Sequence, residues 1–397
     1  MKKIAILGFG VVGAGVADLL TENRDNVSAL AHEEIEIKYI LDLRDFPNSK
    51  FGDLVVHDFS IIENDPEISL VCEVMGGSHP AYEYTVRALK AKKSVVTSNK
   101  EVVANFGDEF LALAKENRVS YRFEASVGGG IPVIDTMING ISHNKIKEIR
   151  GILNGTTNYI LTKMFSFGES FENALKEAQE NGYAERNPDA DILGFDACRK
   201  IAILCAIATG NLIPTDKIHT EGITGIRNED VAAAEKLGMS IKLVARCIIN
   251  GDTPFVTVAP FIVGKDSPLV NVSGVYNAVE IISEPLDNIM LYGRGAGAGP
   301  TASAVVADIA TAIRLGKCDA PATFTKCDSI QSFDDFKCKR YVAFDKNAEK
   351  EVKRIFKNAI YIDGDECSLI CGLMSEGDFN SLLKDLKFQP KSMIRLL

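Results

Sequence analysis

Asp196 and Lys200 are the two side chains of this sequence best suited to acid–base chemistry. They stand four residues apart, so on a helix they share one face. Most of the residues around them are apolar, namely Ile192, Leu193, Ile201, Ile203, Leu204 and Ile207. A surface ion pair is the alternative interpretation. The apolar surroundings instead favour a position facing a cleft, where a lysine suits a substrate oxygen.

Further polar residues precede this pair and could complete a substrate site. The carboxylates of Glu185, Asp191 and Asp196 would suit a substrate ammonium group. A second cluster runs from Gly151 to Asn158 with the sequence GILNGTTN, ahead of an apolar helix that starts near Tyr159. A helix N-cap accounts for one of its polar residues but not for all of them.

Two other segments have the composition of ligand-binding loops. Thr97 and Lys100 belong to a polar stretch, TSNK, that follows a short strand, and open α/β sheets bind ligands at such strand ends. Lys100 is a candidate acid or anchor, or alternatively a solvated lysine at a helix start. The stretch from Gly293 to Thr301, which contains Gly295 and Gly297, predicts a loop that approaches a ligand closely, with a flexible linker as the alternative.

The N-terminal residues have the pattern of a dinucleotide-binding turn. A strand-like run, KIAIL, leads into a glycine-rich turn and then into a helical pattern. The turn consists of Gly8, Phe9, Gly10, Val11, Val12 and Gly13. Its glycines permit a tight turn, close approach to a pyrophosphate and close helix packing, while the helix N-terminus favours the anion.

Asp42 and Arg44 indicate opposite cofactor preferences at the end of the second predicted strand. Asp42 could accept the ribose hydroxyls of NAD, whereas Arg44 could bind the 2′-phosphate of NADP. Either residue could instead simply cap a loop. We expect NADP as the cofactor and keep NAD as the alternative.

The elements that must position these residues form three predicted domains. Short strands alternate with helices over residues 1–130, which predicts a Rossmann-type doubly wound parallel sheet. Residues 131–318 have longer helices, among them 171–179, 193–208 and 230–243, and predict an α+β catalytic and dimerisation domain. Residues 338–397 follow the order β-α-β-β-α-β of a small ferredoxin-like module.

Composition excludes several classes of protein. The net charge is -10 and no long basic run occurs, which argues against a nucleic-acid partner. The longest apolar stretch, 201–208, is far shorter than the roughly 20 residues of a membrane span. The nine cysteines are odd in number and scattered, so we expect a reducing compartment, the cytoplasm. No zinc-type spacing is present.

Several motifs in a fixed order resemble the homoserine dehydrogenase family. The resemblance covers residues 3 to 316 and rests on GFGVVG, TSNK, EASVGGGIP, GILNGTTNYIL, the 185–200 block, EGI and GRGAGAGPTASAV. It implies interconversion of L-homoserine and L-aspartate 4-semialdehyde with NADP or NAD, in threonine, methionine and isoleucine biosynthesis.

The resemblance also implies roles for individual residues. Lys200 would be the acid/base beside Asp196, with Lys100 close by. Glu185 and the neighbouring acidic residues, including Asp191, would bind the substrate amino group. Gly155, Thr156 and Tyr183 would line the substrate.

The resemblance further implies a monovalent cation, usually sodium, held by backbone carbonyl groups. The matching positions are Glu124, Val127, Gly129 and Ile131, with Gly129 in place of the more usual alanine. A glycine-rich bend without a cation is the alternative.

Family members are usually homodimers or homotetramers and often carry an ACT domain. Here Phe344-Asp345-Lys346-Asn347 replaces the Asp-x-Pro-Gly turn of that domain, so we expect a structural or dimer-building role for the short C-terminal module. Because the sequence starts directly at the nucleotide-binding strand, we expect a monofunctional enzyme.

Two other functions are consistent with parts of this pattern. One is a dehydrogenase for another amino acid or hydroxy acid, which a substrate panel would reveal. The other is a non-catalytic regulator that binds the cofactor and senses a metabolite, but such a protein does not need Asp196, Lys200 and Lys100 together.

Overall fold

The computed structural model describes residues 1–316 and 321–397, so the predicted boundary at residue 318 and Cys318 lie outside the described residues. The strands are β1 (Lys2–Leu7), β2 (Ile35–Leu41), β3 (Val55–Val56), β4 (Ile68–Glu73), β5 (Ser94–Thr97), β6 (Tyr121–Arg122), β7 (Lys145–Ile152), β8 (Asn211–Leu212), β9 (His219–Thr220), β10 (Ser240–Ile248), β11 (Phe255–Val263), β12 (Tyr276–Glu284), β13 (Asp287–Arg294), β14 (Thr325–Lys326), β15 (Lys337–Phe344), β16 (Ile360–Ile362), β17 (Cys367–Ser375) and β18 (Ser392–Leu396). The helices are α1 (Val11–Glu22), α2 (Arg24–Ala31), α3 (Phe59–Asn64), α4 (Ala81–Lys90), α5 (Lys100–Asn117), α6 (Val133–Asp135), α7 (Gly155–Phe167), α8 (Phe171–Glu180), α9 (Asp189–Ile192), α10 (Phe195–Thr209), α11 (Asn228–Lys236), α12 (Ala298–Leu315), α13 (Glu349–Ile355) and α14 (Glu376–Lys384).

The chain forms two compact units, and neither is continuous in sequence. The first unit comprises Met1–Lys145, Ala202–Thr215 and Leu291–Asp328. The second unit comprises Ile146–Ile201, Asp216–Met290 and Ser329–Leu397. The three domains expected from the sequence were continuous segments, and their boundaries stay a prediction.

The first unit contains the predicted doubly wound sheet. Its six strands have the order β3-β2-β1-β4-β5-β6 and pair in parallel. The order reverses between β1 and β4, and such a reversal opens a crevice at the carboxyl ends of the strands. The predicted fold class is therefore confirmed for this part of the chain.

A helix from the far end of the sequence completes the core of the first unit. Val305 and Ile309 of α12 are fully buried in one cluster with Ile4 and Ile6 of β1. Gly15 of α1 permits close packing, because a Cβ atom there would lie 3.2 Å from the Cβ atom of Ala302. The nucleotide-binding turn thus lies between a buried strand and two packed helices.

The second unit is built on a mixed sheet that extends into the C-terminal module. Within this unit the sheet order is β12-β7-β10-β11-β18-β15-β17-β16, with β9 paired to β11. Its last four strands have the order expected of a ferredoxin-like fold, as the sequence predicts. Strand β18 also pairs in parallel with β11, so this module continues the larger sheet.

Two predicted elements differ from the structure: the apolar helix expected to start near Tyr159 begins at Gly155, and one predicted helix is too long. The sequence suggested a helix over 230–243, but α11 ends at Lys236 and β10 begins at Ser240. Gly238, with a φ of +67°, lies in the left-handed region and ends the helix. Ser240, Lys242 and Arg246 of β10 alternate with apolar residues, so the sequence carried a strand signal here although most of the strand is buried.

Among the helices of the described residues, none combines the length and apolar character needed to cross a membrane.

Candidate active site

The predicted nucleotide-binding turn joins β1 to α1 in the first unit. Gly8 has a φ of +93°, and a Cβ atom at Gly13 would lie 2.0 Å from the Gly8 carbonyl oxygen. A Cβ atom at Gly10 would instead meet nothing within 4 Å. Gly8 and Gly13 are therefore required by the protein itself, whereas Gly10 leaves open space in front of the helix N-terminus, where an anion is favoured.

Asp42 and Arg44 contact each other at the end of β2. The guanidinium of Arg44 donates to both carboxylate oxygens of Asp42, at 2.9 and 3.0 Å. The Phe9 N–H donates to the same carboxylate at 2.8 Å. The hydrogen bonds from Arg44 to the Asp42 carboxylate hold the pKa of Asp42 well below its usual range. The pair therefore presents an anionic and a cationic group together beside the glycine turn, with the Arg44 side chain exposed.

The carboxyl ends of β4 and β5 bring further polar groups to the same edge of the sheet. Thr97 is buried and donates from its hydroxyl to the Glu73 carboxylate at 2.6 Å. Asn99 caps α5 by accepting from two backbone N–H groups, and Lys100 is the first residue of that helix. The sequence analysis missed Glu73, because a single acidic residue at a strand end carries no signal of burial.

The glycine-rich loop before α12 packs against the segment proposed to bind a cation. A Cβ atom at Gly129 would lie 2.6 Å from the carbonyl carbon of Gly295, so the two backbones meet closely. The N–H of Gly130 donates to the carbonyl oxygen of Arg294 at 3.3 Å. Gly297 has a φ of +114° and precedes α12. The loop is an ordered part of the first unit.

The backbone of residues 124–131 turns sharply and keeps carbonyl lone pairs that a cation would need. Gly128 and Gly129 have φ values of +77° and +57° and turn the chain sharply. The Glu124 and Ile131 carbonyls each accept one backbone N–H, and a carbonyl oxygen has a second lone pair. The Glu124 side chain is already bound by two backbone N–H groups. These two bonds tie the Glu124 side chain to the start of α6.

The predicted acid–base pair lies in the second unit at the start of α10. Lys200 Nζ donates to Asp196 Oδ2 at 2.7 Å and to the Leu153 carbonyl oxygen at 2.8 Å. Asp196 is 4% exposed and Lys200 is 7% exposed, so the surface ion pair that was the alternative is excluded. The apolar residues around the pair explain this burial, as the sequence indicated.

Asn154 connects this pair with a second carboxylate. Its side-chain amide donates to Asp191 Oδ1 at 2.7 Å and to Asp196 Oδ2 at 2.9 Å. Its amide oxygen accepts the Thr157 N–H and so caps α7. Asn154 was visible in the GILNGTTN motif, but its contact with two carboxylates joins residues about 40 positions apart, which spacing alone does not reveal.

The remaining predicted substrate residues surround the start of α7. A Cβ atom at Gly155 would lie 2.7 Å from the Val275 carbonyl oxygen, so only glycine fits there. Thr156 donates from its hydroxyl to the Tyr183 carbonyl oxygen at 2.6 Å. The Tyr183 ring is exposed and packs edge-on against Tyr159. Glu185 lies nearby on an exposed loop, where its carbonyl oxygen accepts the Gln179 side chain.

A buried lysine that the sequence did not indicate, Lys242, hydrogen-bonds to a residue of α7. Lys242 of β10 donates to Asn158 Oδ1 at 3.3 Å and also to the Val272 carbonyl oxygen. Burial lowers the pKa of Lys242 to about 8. Asn158 in turn donates to the carbonyl oxygens of Gly274 and Tyr276. This network fixes the helix that begins with Gly155 and Thr156.

Comparison with known proteins supports the same interpretation over most of the chain. A family model described as "Homoserine dehydrogenase, NAD binding domain" matches residues 8–124, and one described as "Homoserine dehydrogenase" matches residues 132–310. The homoserine dehydrogenase of Synechocystis is 41% identical over 313 residues, covering 77% of this chain and 72% of the relative. The chain belongs to the homoserine dehydrogenase family.

Solved structures of homoserine dehydrogenases extend the match to the whole fold. The structure from Thiobacillus denitrificans has a TM-score of 0.91 at 32% identity and covers 100% of this chain and 98% of its own. That from Staphylococcus aureus has a TM-score of 0.82 at 30% identity with the same coverage. A hyperthermophilic archaeal homoserine dehydrogenase mutant in complex with NADPH has a TM-score of 0.67 at 31% identity, over 79% of this chain and 98% of its own. The chain is thus an NAD(P)-dependent oxidoreductase of this family.

Proposed function

We propose that this protein interconverts L-homoserine and L-aspartate 4-semialdehyde, with Lys200 as the acid/base. The observation that carries the proposal is the buried Asp196–Lys200–Asn154 network in the second unit. The bound nicotinamide supplies or accepts the hydride. Lys200 donates a proton to the aldehyde oxygen during reduction and takes it back from the alcohol during oxidation. Asp196 and the Leu153 carbonyl orient the lysine for that step.

Acidic residues around Lys200 bind the substrate amino group in this proposal. Asp191 is oriented by Asn154, and Glu185 lies on the exposed loop that follows α8. Gly155, Thr156 and Tyr183 line the substrate near the start of α7. An ammonium group next to carboxylates gains Coulomb energy that a plain hydroxy acid does not, so these residues favour an amino acid over a hydroxy acid.

The first unit holds the cofactor in this proposal. The pyrophosphate is bound by the glycine-rich turn, which consists of Gly8, Phe9, Gly10, Val11, Val12 and Gly13. Further cofactor contacts come from other loops, through Thr97, Lys100, Gly295 and Gly297. Arg44 binds a 2′-phosphate, so NADP is preferred and NAD is also used. Arg44 would have to exchange Asp42 for the 2′-phosphate, since one guanidinium cannot pair fully with both groups.

Absorbance of the reduced nicotinamide tests the reaction directly. Purified protein is mixed with L-homoserine and either NADP or NAD, and with L-serine or a 2-hydroxy acid as controls. We expect a rise in absorbance that depends on L-homoserine and is faster with NADP. A protein that binds NADPH but shows no such rise would instead be a dehydrogenase for another substrate, and a substrate panel would follow.

We also propose a sodium ion at the backbone of Glu124, Val127, Gly129 and Ile131. Replacing Na⁺ with tetramethylammonium at constant ionic strength should lower the midpoint of thermal unfolding as well as the activity. A cation too large for a carbonyl cage cannot support the turn. An unchanged midpoint would indicate that the segment is a glycine-rich bend without a cation.

A homodimer or homotetramer in the cytoplasm completes the proposal. No disulfide bond joins any of the eight cysteines among the described residues, which supports a reducing compartment. Light scattering of the purified protein would give the oligomeric state, and a monomer at micromolar concentration would contradict it. We expect neither a nucleic-acid nor a membrane partner.

A further inference from the structure

A buried carboxyl group at the carboxyl end of β4 has no role in the chemistry proposed above. Glu73 is 0% exposed, and burial raises its pKa to about 7. A carboxyl group in an apolar interior is costly unless hydrogen bonds compensate for the lost water. Its partners therefore show what the protein gains from it.

The Glu73 carboxyl connects the two loops that leave neighbouring strands. The Met75 N–H donates to Oε1 at 2.8 Å, and the Thr97 hydroxyl donates to Oε2 at 2.6 Å. The Asn99 N–H donates to the Thr97 hydroxyl at 2.9 Å. The Asn99 side chain then donates to the Gly77 carbonyl oxygen at 2.7 Å. These bonds close a ring that includes the loops after β4 and β5.

The position of this ring in the sheet indicates which part of the cofactor it serves. The sheet order reverses between β1 and β4, and a dinucleotide binds across such a crevice with one mononucleotide on each half of the sheet. Asp42 and Arg44, which suit the adenosine ribose, follow β2 on one half. The loops after β4 and β5 lie on the other half and therefore face the nicotinamide.

We propose that Glu73 is a positioning residue for the nicotinamide half of the cofactor. Its carboxyl group holds the backbone of Met75–Gly77 and Thr97–Asn99 in one arrangement, so that the loops do not need to be ordered when the cofactor binds. The proposal rests on the cofactor-binding function assigned to the first unit. A merely structural role would change stability but not the balance between the two halves of the cofactor.

Three variants and a matched control separate these roles. Glu73→Ala removes both side-chain bonds, whereas Glu73→Gln can accept the Met75 N–H and donate to the Thr97 hydroxyl. Thr97→Val removes only the hydroxyl and reports on the same ring if Glu73→Ala fails to fold. Thr85→Val is the control, because Thr85 is equally buried in α4 of the same unit and its hydroxyl has no hydrogen-bond partner among the described residues.

The measurement is the dissociation constant of each variant for NADPH and for 2′-phospho-ADP-ribose, which lacks nicotinamide. We expect Glu73→Ala and Thr97→Val to weaken NADPH binding at least ~10-fold, the equivalent of about one lost hydrogen bond, with 2′-phospho-ADP-ribose binding within about 3-fold of wild type. Glu73→Gln should restore NADPH binding to within about 3-fold, and Thr85→Val should change neither.

Two results would overturn the proposal. One is equal weakening for both ligands, or for neither, in Glu73→Ala and Thr97→Val. The other is a Glu73→Gln variant as defective as Glu73→Ala, which would mean that the hydrogen bonds are not what matters. Because the readout is binding, it remains decisive even if the wild-type protein fails to oxidise L-homoserine.

Discussion

At the scale of single residues, the environment of Lys200 decides how its ammonium group can act. Asp196 and the Leu153 carbonyl both accept from it, and only 7% of the residue is exposed. Burial with two fixed acceptors limits the rotamers of a side chain that would otherwise be among the most mobile. The lysine is therefore held in one orientation before any substrate arrives.

Lys200→Ala should lower kcat at least ~100-fold, since a positioned acid/base contributes about that much or more. NADPH affinity should stay within a few-fold, because the nucleotide-binding residues lie in the first unit. Lys176→Ala is the matched control, since Lys176 forms an exposed pair with Glu180 at the same spacing. Steady-state kinetics would measure kcat for both variants. A Lys200→Ala variant with a kcat within a few-fold of wild type would show that Lys200 is not the acid/base.

Arg44→Ala should raise the KM for NADP more than the KM for NAD. The change removes the proposed partner of the 2′-phosphate and frees the Asp42 carboxylate, which can then accept ribose hydroxyls. Arg24→Ala, which removes another exposed arginine paired with a glutamate, should change neither KM. Equal increases for both cofactors would show that Arg44 does not bind the 2′-phosphate.

Glu73 should also make stability depend on pH in a defined window. The pKa of Glu73 is raised from 4.5 to about 7, so the folded state binds more protons than the unfolded state between these values. The free energy of unfolding contributed by this group therefore falls as pH rises from 4.5 to about 7 and is flat above, a change of roughly 3 kcal/mol at most.

Urea unfolding of wild type and Glu73→Gln at several pH values would measure this contribution. The difference between the two proteins isolates Glu73 from Glu124 and Asp308, whose pKa values are also raised by burial, to about 8 and about 6. Parallel curves for the two proteins across this range would show that Glu73 does not titrate there.

At the scale of elements, the glycines of the turn between β1 and α1 differ in whether the fold leaves room for a side chain. Gly13→Ala would place a Cβ atom 2.0 Å from the Gly8 carbonyl oxygen, so the helix must move away from the strand. Gly10→Ala would place its Cβ atom in open space. Both changes should weaken NADPH binding, but Gly13→Ala alone should also lower the midpoint of thermal unfolding. A normal midpoint for Gly13→Ala would contradict this assignment.

Short-range signals explain which elements could be predicted from the sequence. The helices predicted over 171–179 and 193–208 correspond to α8 and α10 within two residues at each end, and the order of elements in the C-terminal module is also as predicted. Strand β10 was missed because the helical pattern of α11 was extended into it past Gly238, although Ser240, Lys242 and Arg246 alternate with apolar residues. The position of α12 beside α1 could not be predicted, since it depends on packing between residues nearly 300 positions apart.

The same contrast between local signals and contacts of high sequence separation holds within the candidate site. Asp196 and Lys200 were identifiable because their partnership is local to one helix. The amide of Asn154 and the carboxyl of Glu73 bind partners 24 to 42 positions away, so composition and spacing do not reveal these contacts, although Asn154 itself lies in a recognisable motif.

At the scale of the whole molecule, one buried arginine connects the C-terminal module to the larger sheet. Arg395 of β18 is 1% exposed and donates to Glu221 at 2.7 and 2.8 Å and to Glu376 at 2.6 Å. Glu376 belongs to the module, whereas Glu221 follows β9. Loss of Arg395 would leave Glu376 with Arg340 and Glu221 with His219 as their remaining partners, and removing one member of a buried ion pair is strongly destabilising.

Arg395→Ala should therefore lower the free energy of unfolding by about 3–5 kcal/mol. Lys353→Ala removes an exposed ion pair with Glu349 in the same module and should cost at most about 1 kcal/mol. Urea denaturation of both variants would compare them. Similar losses for the two variants would mean that Arg395 does not secure the module.

The interleaving of the two units has a consequence for biosynthesis on the ribosome. The first unit needs α12, which starts at Ala298, to cover the apolar faces of β1 and α1. A nascent chain that has emerged only to residue 145 holds all six strands of the sheet but leaves that surface open to water. Because these contacts join residues far apart in sequence, the first unit should complete its folding slowly, after α12 has been synthesised.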